Sequence, residues 1–135
     1  MTIQWLVALV VMVCAVAPIA ARAEPASQVV IESERLDPRT LETKTGERVD
    51  FVNRTGRPVH LQLAVDIRQH EVVQIPVTGP VWAVFHRPGT HPYVVHVYGR
   101  ETRALEGVVV VTTDETHQWQ SGTCDVVVEG NCIAP

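Results

Sequence analysis

Six histidines fall between positions 60 and 117. Imidazole suits copper and zinc, and several imidazoles on neighbouring strands can build a nitrogen-rich site. His70, His86 and His117 stand in polar, loop-like surroundings and read as solvated surface residues. His60, His91 and His96 differ, because each sits at the edge of a strand that also carries core residues. A lone histidine in such a place is ordinarily just hydrogen-bonded. Three of them at strand ends of a β-sandwich make a candidate metal site. The expectation is His60 and His96 as ligands with His91 as the third, holding copper, with zinc as the other metal such donors accept. Glu101 and the Tyr98 hydroxyl are the candidate partners for the second ring nitrogens. No Ser/His/Asp arrangement and no close carboxylate pair is legible, so the sequence leans away from an enzyme.

The elements that must position these residues are strands. No segment after position 23 sustains a helical period, whereas short β-branched runs recur between Gly, Pro, Asn and Asp. The runs are 29–31, 48–53 (R-V-D-F-V-N), 60–65, 71–77, 81–85, 93–98 and 107–112, with 38–43 leading into a turn at Gly46. Seven or eight short strands at this spacing predict an all-β sandwich. Val110 and Val111 break alternation, which predicts a strand buried on both faces. Trp82 and Phe85 read as core residues, and 114–135 as a tail carrying Trp119.

The ends of the chain speak to compartment. Trp5 to Ala17 is an unbroken apolar run, followed by Ala21-Arg22-Ala23. The run is short for a membrane span and precedes a small-residue cleavage pattern, so 1–23 reads as a signal peptide with 24–113 as the folded domain. This predicts a periplasmic or secreted protein with no membrane attachment after cleavage; the rival reading is an uncleaved anchor. Cys14 leaves with that segment, and Cys124 and Cys132 remain close together in a Gly-rich tail. An even pair in an exported chain predicts a disulfide. The formal charge of −4 at pH 7 excludes a basic nucleic-acid face.

Two stretches resemble the cupredoxin family. Gly46-Glu-Arg-Val-Asp-Phe-Val-Asn53, followed by Gly56-Arg-Pro-Val-His60, is similar to the segment that precedes that family's first histidine ligand. Pro88-Gly-Thr-His-Pro-Tyr-Val-Val-His96, followed by Leu105-Glu-Gly107 and three valines, resembles the family's ending, which carries the cysteine, the second histidine and the axial methionine. The resemblance implies a Greek-key β-sandwich. It also places Val59, Val95 and Leu105 where the first histidine, cysteine and methionine belong, with Tyr98 near the second histidine. A blue-copper centre needs a thiolate and two imidazoles, so plastocyanin-like electron transfer is not expected.

His60 and His96 each lie one residue beyond a family ligand position. In a strand a one-residue shift moves a side chain to the opposite face, so both are expected to point outward together. The stretch around His96 also looks like the second domain of copper nitrite reductases, in which that histidine reaches copper across a subunit interface. The leading expectation is a copper-binding protein with a non-blue, sulfur-free site, for copper carriage or delivery to a periplasmic partner or within a homo-oligomer. The alternative is a metal-free interaction or structural module on the same scaffold, with a copper oxidoreductase subunit behind both.

Overall fold

The computed structural model describes residues 27–66, 69–76, 79–116 and 123–134. Residues 1–23, read from the sequence as a signal peptide, lie outside them together with His117 and Trp119, as does the side chain of His70. No helix long and apolar enough to cross a membrane occurs among the described residues.

The strands are β1 (Ser27–Ile31), β2 (Leu36–Asp37), β3 (Thr40–Lys44), β4 (Arg48–Asn53), β5 (Val59–Asp66) and β6 (Gln69–Ile75). They continue as β7 (Val81–Phe85), β8 (Gly89–Val97), β9 (Arg103–Thr112), β10 (Val126–Val128) and β11 (Asn131–Ala134). One sheet has the order β11-β10-β7-β4-β1-β2 and the other β3-β9-β8-β5-β6. The chain changes sheet from β4 to β5, from β6 to β7 and again to β8, which closes one core between two layers.

Eleven strands among the described residues exceed the seven or eight expected. The added ones are too short to show a period, and two of them come from the tail. There β10 pairs with β7, and the Cys124–Cys132 disulfide brackets the β10–β11 hairpin. Three or four residues give alternation nothing to repeat over, so pairing with β7 is what makes this segment a strand.

Alternation builds the core. β4 and β7 read exposed-or-half-buried then buried along their length, with Val49, Phe51, Val81, Ala83 and Phe85 facing inward. Trp82 lies on the other parity and faces outward, with the Arg48 guanidinium 5.5 Å from its ring centroid. The expectation of a core tryptophan is thus corrected: a strand cannot send residues 82 and 85 to one face. β9 is corrected likewise, since Val109 and Val111 are buried while Val108 and Val110 are half-buried on the outer face.

One contact locks β8 to β9. Tyr93 stands opposite Gly107, and a Cβ added at Gly107 would collide with the Tyr93 ring. The glycine is there because the ring lies across its backbone. That ring also packs edge-on against Phe51 of the facing sheet, at 5.4 Å between centroids. The Tyr93 hydroxyl is buried without a hydrogen-bond partner among the described residues. Burial pushes its pKa up to about 12.

Candidate functional site

The site begins with the pairing of β5 and β8. Their register sets His60 directly opposite His96, flanked by the pairs Val59–Val97 and Leu61–Val95. Directly opposed residues share a face, with Cβ atoms about 4.5–5.5 Å apart. Val59, Leu61 and Val95 are fully buried and Val97 nearly so, and these residues form the inner face. His60 and His96 are half-buried on the outer face. Alternation therefore turns both imidazoles away from the core and sets them side by side.

Each ring is held by one nitrogen. His96 Nε2 lies 2.9 Å from Gln62 Oε1, and because an amide oxygen only accepts, Nε2 carries the proton and Nδ1 keeps its lone pair. His60 Nδ1 lies 3.0 Å from the Tyr98 hydroxyl, and the two rings meet edge-on at 4.9 Å. This leaves His60 Nε2 outside that contact. Gln62 is two residues along β5 from His60, on the same outer face. Of the two acceptors expected from sequence, Tyr98 meets an imidazole; Glu101 makes no hydrogen bond to either ring. Gln62 was missed. Its only sequence signal is its i, i+2 spacing from His60, which identifies a shared face but not a contact.

His91 does not join the pair. The β8–β9 register runs without a shift from Gly89 to Val97, so His91 has the parity of Tyr93 and Val95. It sits five residues from His96 along the strand, about 17 Å at strand rise. Its Nε2 donates to the Arg87 carbonyl at 2.8 Å, and its ring packs against Phe85 at 5.1 Å. The third-ligand expectation fails on this geometry because an odd separation reverses the face. No group of three or more His, Cys, Asp or Glu side chains able to hold a metal forms among the described residues.

Three of the positions that the cupredoxin resemblance assigns to a blue-copper centre, those of the first histidine, the cysteine and the methionine, hold no donor. Val59 and Val95 are fully buried, and Leu105 packs against the same core. The residues present do not fit a thiolate-bound copper. The two imidazoles that the fold does bring together, His60 and His96, stand on the outer face.

The loop that leads into His60 is built by one buried polar residue. Asn53 Oδ1 accepts from the Thr55 backbone N–H at 3.0 Å and from its hydroxyl at 2.7 Å, while Asn53 Nδ2 donates to the carbonyls of Arg57 and Pro76. Thr55 Oγ1 accepts in turn from the Arg57 N–H at 3.1 Å. These bonds satisfy the turn's own backbone and set the chain's entry into β5.

A search of solved structures aligns the chain with amicyanin. A reduced proline-to-phenylalanine mutant superposes with a TM-score of 0.53 at 21% identity, covering 69% of this chain and 88% of that one. A novel purple cupredoxin from Nitrosopumilus maritimus gives a TM-score of 0.47 at 19% identity, covering 64% of this chain and 99% of its own. No protein-family model matches the sequence, and no curated protein matches it. Two packed β-sheets and the amicyanin superposition define a cupredoxin-like β-sandwich.

Proposed function

We infer that this chain is an exported copper-binding protein that holds copper on its outer sheet face through His60 and His96, without sulfur, and carries or delivers it to a partner. The observation that carries this reading is the direct cross-strand pairing of the two imidazoles. Gln62 and Tyr98 each engage one ring nitrogen and leave the other for a metal, the arrangement by which outer partners orient histidine ligands. Bound copper would supply a redox-active Lewis acid. The chain's own residues orient the rings and keep the ion at the surface. Two donors leave the remaining positions open to a ligand brought by a second molecule, which suits transfer better than storage. The second domain of copper nitrite reductases, which the stretch around His96 resembles, supports a histidine used in this way; copper rather than zinc follows from that resemblance.

Export is supported by the apolar N-terminal run with its small-residue cleavage pattern, and by the Cys124–Cys132 disulfide, a bond that persists in oxidising compartments. The metal-free module stays as the second reading because Val59 and Val95 fill the old ligand positions with a dry core.

The test is metal analysis with absorption spectroscopy on protein purified from the periplasm. Wild type is expected to hold about one copper per chain with no intense thiolate-to-copper band, in keeping with a donor set lacking sulfur. The His60→Ala/His96→Ala double variant is expected to hold none. Metal-free wild type, or equal copper in the variant, favours the structural module.

A further inference from the structure

At the end of the sandwich where β8 leaves the sheet, three loops enclose a cleft of about 320 Å³, lined by Ser33, Thr55, Arg57, Tyr98, Arg100 and Arg103 among others. The chain as a whole is acidic, with a formal charge of −4. The cleft reverses that sign. Its charged lining is three arginines, at positions 57, 100 and 103, against two carboxylates, Glu34 and Glu101. Arg103 is spoken for, with Nη1 3.1 Å from Glu34 Oε1. Arg57 spends one N–H on the Tyr98 carbonyl at 3.3 Å. Arg100 makes no hydrogen bond or ion pair among the described residues, and it is exposed. Arg35 and Arg54 stand on the flanking loops, and the Glu32 carboxyl there is held below its usual range, chiefly by its hydrogen bond from Arg35 and further by Arg54.

Arg57 is placed, not loose. Its backbone is fixed by the Asn53–Thr55 bonds described above, and its guanidinium lies so close over Gly99 that a Cβ there would collide with it. The Tyr98 carbonyl takes one Arg57 N–H, and a guanidinium carries further N–H groups in a planar fork, the geometry that matches a carboxylate. Val97 and Tyr98 give one wall apolar surface, and Tyr98 is 43% exposed.

We propose that this cleft is a binding site for a small monocarboxylate with a compact apolar body, its carboxylate gripped by Arg57 and Arg100 and its body laid on Tyr98. One excess positive charge is balanced by a monoanion. A phosphate dianion would overshoot it beside Glu34 and Glu101, and the cleft volume is at the low end for small-molecule sites. The proposal shares Tyr98 with the copper reading but does not depend on it, since none of its contacts needs a metal.

The experiment uses metal-free protein purified from the periplasm, titrated with benzoate, acetate and inorganic phosphate and followed by the amide resonances of 97–103 and the arginine side-chain N–H signals. Benzoate is expected to shift the Gly99 amide and Arg57 side-chain signals saturably, more tightly than acetate, with phosphate weakest. Arg100→Ala is expected to weaken benzoate about tenfold or more, as loss of a charge-assisted forked pair does, and Arg100→Lys to restore only part, since a point charge lacks the fork. Arg48→Ala, on the other sheet, is expected to bind as wild type does. Arg100 has no partner to disturb, so its removal leaves folding intact, which the unchanged amide spectrum outside the cleft checks. The proposal is overturned if no saturable shift appears, if Arg100→Ala binds benzoate like wild type, if Arg48→Ala weakens it equally, or if phosphate binds tighter than benzoate.

Discussion

Strands β5 and β8 present two faces of opposite character from one pairing. Inward lie Val59, Leu61, Tyr93, Val95 and Val97, all buried. Outward lie His60, Gln62 and His96, half-buried, with Tyr98 exposed beside them. The inner face is packed and, among the described residues, its only uncommitted polar atom is the Tyr93 hydroxyl; the outer face is a row of polar groups held by one another. The difference teaches that a shift of one residue along a strand exchanges an enclosed side chain for one on the open face. The core is filled by valines at 59, 95 and 97, while Tyr98 and Gln62 hold the two histidines.

The strongest way to break this comparison is to crowd the inner face. Gly107→Val forces a branched side chain into the Tyr93 ring and is expected to destabilise by about 3 kcal/mol or more, or to prevent folding, as severe overpacking does. Thermal denaturation measures it, and a melting temperature equal to wild type would show that the ring does not lie there. Next comes the hairpin at the edge of the other sheet. Cys124→Ser/Cys132→Ser opens a short loop and is expected to lose about 2–3 kcal/mol on chain-entropy grounds, read as a lower denaturant midpoint.

Tyr93→Phe sharpens the comparison at its one flaw. The hydroxyl has no partner, so its removal is expected to be neutral or slightly stabilising at pH 7. The sign at high pH follows from linkage. A native pKa of about 12 against 10.0 in the unfolded chain means stability is whole below pH 10 and falls as pH rises toward 12. Wild type is expected to lose up to about 2–3 kcal/mol across that window through this group, and the Phe variant none of it. Alkaline unfolding curves that coincide would contradict the burial of the hydroxyl.

Two milder changes address the outer face. Val95→Cys places a thiol where a cupredoxin cysteine belongs, yet both imidazoles point the other way. Copper-loaded variant protein is therefore expected to stay without the intense thiolate band, and its appearance would mean that the two faces communicate. Tyr98→Phe removes the hydroxyl at His60 Nδ1 and is expected to weaken copper about tenfold, the lower end for loss of an orienting partner.

Legibility differed between the faces for a physical reason. The inner face is a sum of hydrophobic choices at period two, so β4, β7 and the sandwich class were readable from residues alone, as was the outward turn of His60 and His96. The disulfide pairing was readable because only two cysteines remained after position 23. Trp82 was misassigned because the strand around it is short and its outward partner, Arg48, is far away in sequence. His91 was misassigned because strand-end position says nothing of parity unless the register is known to run unbroken.

The sequence by itself determined an all-β sandwich and the pair of cysteines in the tail, because each depends on residue type and local period; that Val59, Val95 and Leu105 stand in place of a thiolate centre is what the resemblance to cupredoxins implies. Tertiary structure alone decided that residue 60 stands opposite residue 96, that Gln62 and Tyr98 hold their rings, that 126–134 joins a sheet, and that three arginines share one cleft. These are matters of register between strands distant along the chain. Register is fixed by which pairing buries the whole apolar face at once, a sum over the two strands that no single residue carries.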